Sequence, residues 1–157
     1  FNLGRDAEVS YSEVCAGSRR SKRGVRANLN GKSANFQYRG LGFMRGQQEC
    51  ESHIQVVHRV GETNSYIQQR NVLTDSARGV FSGGVLMKEG AAKSDSHQVN
   101  QNLVIGDRAE INTKPDLVVD VDDVKATHGA TIGRINAEEL FYLSSRGLDR
   151  AGQHAFL

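Results

Sequence analysis

Few side chains in this chain can do metal or nucleophilic chemistry: five histidines, two cysteines and some clustered carboxylates. His128 is the most suggestive. It stands in the run Asp122-Asp123-Val124-Lys125-Ala126-Thr127-His128-Gly129-Ala130-Thr131-Ile132-Gly133. The run reads as a charge-rich polar strand with a glycine-flanked exit, which places His128 at a strand end beside a free edge. An imidazole there is available as a ligand or a proton carrier, and the competing reading is an ordinary solvated histidine. Asp95, His97 and Val99 share one face if residues 93–100 are extended. A carboxylate two residues from a histidine can tune the ring or help bind a metal, although structural pairing is the commoner use. His53 and His58 are five apart, and an odd separation on a strand sends them to opposite faces. Each reads as a surface or satisfied strand histidine, and the two do not read as a metal pair.

Other motifs yield to simpler readings. Gly31-Lys32-Ser33 resembles the end of a phosphate-binding loop, but the glycine required five positions earlier is Arg26. A hairpin turn explains it. Arg19-Arg20-Ser21-Lys22-Arg23, with Arg26, is the one basic cluster, and no aromatic platform is interleaved with it. It reads as a solvated loop. Asp120, Asp122 and Asp123 could mimic the carboxylate cluster of a β-helix carbohydrate-active enzyme, and a solvated strand face is the simpler account. Cys15 and Cys50 are far apart and form no CxxC pattern. They indicate no disulfide framework, so a reducing compartment is expected.

The elements that position these residues follow from composition and periodicity. The chain has 157 residues, enough for one core. It contains 17 glycines, one proline and no tryptophan, and its hydrophobic fraction is 38%. No stretch approaches the roughly 18 apolar residues of a membrane helix. The net charge of +2 is too small to argue for nucleic acid or a membrane as partner. The chain opens at Phe1 rather than methionine, which is expected of a processed chain or a piece of a longer one.

Short runs with period-two alternation or brief apolar stretches predict strands: Val25 to Leu29, Phe36 to Phe43, Ile54 to Val60, Tyr66 to Leu73, Gly79 to Met87, Asn102 to Ile105 and Leu117 to Val121. Asn30-Gly31 and Gly83-Gly84 read as turn pairs that allow positive φ. Asn, Gln, Ser and Thr fall inside the strand runs, as in Tyr66-Ile67-Gln68-Gln69-Arg70-Asn71-Val72. A sandwich core would want large apolar residues there. A β-helix accepts them, because like side chains in successive coils can stack into hydrogen-bonded ladders. The pattern therefore favours a β-helix over a sandwich, although no clean repeat supports it.

The character changes at Ile135. Asn136 reads as an N-cap with Glu139 three residues on, and Ile135 and Leu140 are spaced as a hydrophobic staple. Arg146 suits the negative end of the dipole, and Gly147 reads as the C′ residue. A helix is predicted over Ala137 to Arg146, with Asp149 capping a second helix cut short at Leu157. Residues 1–134 are read as the β-helix core and 135–157 as the start of a C-terminal helical domain.

Several ordered segments resemble the SufB/SufD family of iron–sulfur cluster assembly proteins. Ala77-Arg78-Gly79-Val80-Phe81-Ser82-Gly83 is similar to the family's ARGVFNG coil, and the segment from Lys93 to Leu103 to its KTDAHQTNRNLL segment. Lys114-Pro115-Asp116-Leu117, the His128 run and Leu140 to Leu148 resemble its C-terminal signature. Where SufB-like chains read HEATTSKI, this chain reads HGATIGRI, the SufD-like form.

The resemblance implies an all-β fold, a right-handed parallel β-helix followed by a short, truncated helical segment. It implies a non-enzymatic scaffold subunit that pairs with a SufB-like subunit through late β-helix strands. A SufC-like ATPase would dock on the C-terminal helical region. It places His128 at the SufB-facing seam, as iron or cluster ligand for a transient iron–sulfur cluster shared with SufB. Lys125, Thr127 and His128 would meet SufB, and Phe141, Tyr142 and Arg146 lie in the helical region. Many SufD chains read Lys-Cys-Ser-His where this one reads Lys-Ala-Thr-His, so Ala126 removes a thiol and leaves His128 as the ligand of this segment. Flavin binding is left open. Without SufB the exposed seam can self-pair into a homodimer. The cytoplasm is the expected location, or the plastid in a plant or alga. The alternatives are a SufB-like paralogue, against which Gly129 argues, and the carbohydrate-active enzyme.

Overall fold

The computed structural model describes residues 1–105, 107–135, 141–142 and 144–147. Ten strands occupy most of them: β1 (Asn2–Leu3), β2 (Glu8–Ala16), β3 (Arg20–Leu29), β4 (Asn35–Met44), β5 (Glu49–His58), β6 (Asn64–Leu73), β7 (Arg78–Met87), β8 (Asp95–Val104), β9 (Glu110–Val119) and β10 (Lys125–Arg134). Odd strands form one sheet in the order β1-β3-β5-β7-β9, and even strands form the other in the order β10-β8-β6-β4-β2. Every pairing is parallel. Consecutive strands thus alternate between two sheets while the chain climbs, which is a parallel β-solenoid. Asn2 stacks on Asn28, whereas Arg78 stacks on Glu110, a longer step along the chain. This unequal coil length is why no fixed repeat is visible in the sequence.

The strands alternate between interior and exterior, as a pleat requires. The interior is apolar toward one corner, where Leu29, Phe36, Tyr38, Ile67, Phe81 and Met87 are wholly buried or nearly so. Each such side chain contributes about 1.5–3 kcal/mol relative to exposure. A second apolar cluster holds Cys15, Met44, Cys50, Leu73, Ala77, Val104 and Ala109, and much of the remaining interior is polar and laddered, as the Asn and Gln content predicted. Asn71 Nδ2 donates to Asn102 Oδ1 of the next coil at 2.7 Å, and Gln69 Nε2 donates to Asn71 Oδ1 at 2.8 Å. Ser65 and Ser96 stack at 2.8 Å, as do Thr63 and Ser94 at 2.9 Å. Buried polar groups are acceptable only when paired in this way.

The turn reading needs correction. Left-handed backbone recurs at one corner of successive coils on Asp6, Ser33, Glu62 and Lys93, with φ of 56° to 62°, not on glycine. Gly31 is required for another reason: a Cβ there would run into the backbone of Gly4 and Arg5 in the coil below. Gly83-Gly84 is no turn but lies inside β7. The bare Gly83 leaves room for the Gln98 side chain, whose Nε2 donates to Gly83 O at 3.1 Å.

Two further expectations change. Arg20, Ser21, Lys22 and Arg23 are not a loop but open β3. Arg20 and Lys22 pair with Glu49 and Glu51 of the next coil at 2.8 Å and 3.0 Å. Asp120, Asp122 and Asp123 lie in the corner between β9 and β10 rather than on a strand face, and Asp120 pairs with Lys88 at 3.4 Å. Of the predicted helix, Phe141, Tyr142, Ser144 and Ser145 carry helical backbone, and Gly147 has the left-handed φ of 86° expected at C′. Asn136 to Leu140, Leu143 and Leu148 onward lie outside the described residues, and with them the caps, the staple and the second helix.

Candidate functional site

The last coil is built from β9 and β10, the outermost strands of their sheets. In β10, Lys125 N donates to Ser94 O at 3.0 Å, and beyond the strand Ile135 N donates to Val104 O at 3.3 Å. In a parallel ladder the residues of one parity face the neighbouring strand. Odd residues of β10 therefore face β8, and Ala126, His128, Ala130, Ile132 and Arg134 turn their N–H and C=O groups to the open side. In β9 the parity is reversed: Glu110 N donates to Ala77 O at 3.0 Å, so odd residues face outward. One of them is Pro115, which has no N–H to offer. The β9 edge is interrupted at its centre, whereas every outward N–H of β10 is intact.

Side-chain faces follow from the register. Ser96, Gln98, Asn100, Asn102 and Val104 form the buried face of β8. Their partners on β10 are Ala126, His128, Ala130, Ile132 and Arg134. His128 is thus in the interior column, directly over Gln98, and it is exposed because no described strand stacks beyond it. Ala126 still packs on the main core. Beneath His128, Gln98 is 1% exposed, and its Oε1 has no hydrogen-bond partner among the described residues.

The predicted site residues separate on this strand. Lys125 and Thr127 lie on the outer face, over Asp95 and His97, opposite to His128. Thr127 Oγ1 is 2.5 Å from His97 Nδ1, and the His97 ring stacks on Tyr66 with centroids 5.6 Å apart. His97 is therefore held by a cross-coil ladder instead of Asp95. His128 is the fourth residue of a ten-residue strand, so the strand-end placement is corrected. Phe141 and Tyr142 are 75% and 57% exposed, and the Arg146 guanidinium lies 5.4 Å from the Tyr142 ring centroid. Among the described residues no group of three or more His, Cys, Asp and Glu can hold a metal. Within its described surroundings, His128 can give a metal ion one nitrogen, and the remaining ligands must come from elsewhere.

His53 and His58 take opposite faces as predicted. His58 is fully buried between Thr63 Oγ1 at 2.8 Å and Ser65 Oγ at 2.9 Å. Burial lowers its pKa to about 4, so the ring is neutral. His53 lies outside, 3.4 Å from Glu51.

A cluster that sequence spacing did not reveal lies toward the other end of the solenoid. Cys50 Sγ donates to Cys15 Sγ at 2.9 Å, and Ser21 Oγ is 3.1 Å from Cys15 Sγ. Arg23 Nη2 donates to Cys50 Sγ at 3.3 Å and to Ser52 Oγ at 3.2 Å. Its Nε is 3.3 Å from Glu13 Oε1, an ion pair without the alignment of a hydrogen bond. Tyr38, whose hydroxyl donates to Glu13 at 2.8 Å, has its pKa pushed up by burial and then by that carboxylate. The signal was coil length: Ser21 lies under Cys50 in register, and Cys15 is just around the corner from Ser21.

The family model described as SUF system FeS cluster assembly, SufBD core domain, matches residues 1–155. The chain is 33% identical over 148 residues to the iron–sulfur cluster assembly protein SufD of Escherichia coli, covering 94% of this chain and 35% of that protein. It is 34% identical over 148 residues to an iron–sulfur cluster assembly SufBD family protein of Synechocystis, covering 93% and 32%. It is 29% identical over 147 residues to SufD of Bacillus subtilis, covering 94% and 34%. The chain spans about a third of the length of these curated relatives.

Proposed function

From a chain that belongs to the SufBD core family of iron–sulfur cluster assembly proteins, we infer a SufD-like scaffold subunit that acts by assembly rather than catalysis. In this reading a SufB-like subunit adds a strand to the open edge of β10. The observation that supports it most is the intact run of outward backbone groups from Ala126 to Arg134, beside a β9 edge that Pro115 interrupts. Strand addition satisfies such groups at once, and leaving them bare invites non-specific pairing.

The same edge carries His128 to the seam. A neutral imidazole nitrogen suits iron, and a thiolate from the partner would complement it. The cluster is cargo: it forms between subunits and departs. His128 supplies one ligand from this side, and Ala126 supplies none. The exposed Phe141 and Tyr142, with Arg146 over the tyrosine ring, suit the docking of a SufC-like ATPase. The cytoplasm is the proposed setting, and no described helix is long and apolar enough to cross a membrane.

The test is reconstitution of the full-length protein with SufB-like and SufC-like partners. His128→Ala should leave the ternary complex intact on size exclusion with light scattering and remove most of its cluster absorbance. Full cluster loading in that complex would refute the ligand role. Failure of the wild-type chain to capture the SufB-like subunit would refute the seam. Without the partner, a homodimer that the SufB-like subunit dissolves would support the same edge.

A further inference from the structure

We propose that Cys15 and Cys50 are a redox modification site, closed to an intramolecular disulfide by a small hydroperoxide. The two sulfurs already touch at 2.9 Å in the thiol state, although they are far apart in the chain. Both sit on interior phases, Cys15 near the end of edge strand β2 and Cys50 near the start of β5 in the opposite sheet. A disulfide needs a sulfur separation of about 2.05 Å, so closure asks for less than about 1 Å of further approach.

Both cysteines belong to an apolar cluster with Met44, Leu73, Ala77, Val104 and Ala109, yet polar groups reach both sulfurs. A buried cysteine used only for packing wants aliphatic neighbours. Here Ser21 Oγ meets Cys15, and the Arg23 guanidinium meets Cys50. A cation and hydroxyl groups beside sulfur favour the thiolate, which is the reacting species. Burial and the contact with Cys15 push the Cys50 thiol up, with Ser21 and Arg23 opposing them, and Cys50 donates its proton toward Cys15 Sγ, which leaves Cys15 as the attacking sulfur. Strand β5 is paired on both sides, and of the two sulfurs that of Cys15 is the one on an edge strand. Its thiolate attacks one peroxide oxygen, the O–O bond breaks, and the departing hydroxide leaves as water on taking up a proton. Cys15 is then a sulfenic acid. The Cys50 sulfur attacks Cys15 Sγ, the S–O bond breaks, and a second water leaves with the Cys50 proton. Two thiols and one hydrogen peroxide become one disulfide and two waters. A small oxidant suits a pair this buried.

The bond would tie β2 to β5 across the two sheets and enclose β3 and β4. The chain-entropy account of such a loop, spread over a domain of this size, corresponds to a Tm rise of about 5–15 °C.

The test uses the full-length protein, reduced and then treated with one equivalent of hydrogen peroxide without oxygen. Non-reducing peptide mapping should show Cys15 joined to Cys50 within one chain. Tm should rise, and dithiothreitol should reverse both effects. Cys50→Ser should stop the reaction at a Cys15 sulfenic acid that dimedone traps, and Arg23→Gln should slow closure about tenfold. Two free thiols in the peroxide-treated folded protein would overturn the proposal. So would a bridge between chains, or oxidation of one cysteine to the sulfinic acid beside an intact thiol.

Discussion

His128 lies in register with Gln98 on the interior column of the even-numbered sheet, although one is exposed and the other is 1% exposed. The difference is position in the stack: Gln98 has a coil on each side, and His128 has one. A position that is core in the coils of Tyr38, Ile67 and Gln98 becomes a surface at the last one. A partner that continues the solenoid would enclose His128 as the next coil would have done.

The two faces of β10 should respond differently to mutation. His128→Ala removes a nitrogen from the seam, whereas Thr127→Val removes the Oγ1 that His97 meets on the opposite face. In the reconstituted complex the first should lose most of the cluster with Tm nearly unchanged. The second should keep the cluster and lower Tm by the equivalent of about 1 kcal/mol. Absorbance in the visible range and thermal scans separate the two.

Proline substitution tests which backbone groups bind. Ala130 turns its N–H to the open side, so Ala130→Pro should leave the chain folded and weaken capture of a SufB-like subunit at least about tenfold. Thr131 faces β8, so Thr131→Pro should break a ladder bond and destabilise the chain by about 3 kcal/mol. Pro115 already occupies the tolerated phase in β9. Pull-down paired with circular dichroism reads both outcomes.

Stability should fall with acid before the carboxylates titrate. The pKa of His58 is lowered from 6.5 to about 4 by burial, so the folded chain resists a proton that the unfolded chain accepts. The contribution is complete above about pH 6.5 and is progressively lost down to about pH 4, a total of about 3 kcal/mol. Urea titrations between pH 7.5 and 5 should show this slope, and His58→Asn should flatten it.

Asn102 links the buried ladder to β10. Its Nδ2 donates to Thr131 O at 3.0 Å, and its Oδ1 accepts from Asn71. Asn102→Ala should cost about 2–3 kcal/mol, because Asn71 is left with an unmet buried donor. Hydrogen exchange should quicken first in β10.

The alternation in most strands, the polar ladders and the opposed faces of His53 and His58 were legible, because period-two geometry is local. β2 was not, since its Glu8-Val9-Ser10-Tyr11-Ser12-Glu13 run is an edge with mixed polarity on its inward face. The glycines misled for a physical reason. Gly83 serves the volume of Gln98 from the other sheet, and no local pattern contains that neighbour.

The amino-acid sequence alone determined the strand content, the tolerance of a polar interior and the family. It also marked the segment around His128, because these rest on residue types and short spacings. Only the tertiary structure decided that Lys125 and Thr127 face away from His128, and that Pro115 blunts one edge while β10 stays open. It also decided that Cys15 touches Cys50. Each of these depends on which residue stacks above which. Coils of unequal length make that register a property of the assembled solenoid rather than of any fixed distance along the chain.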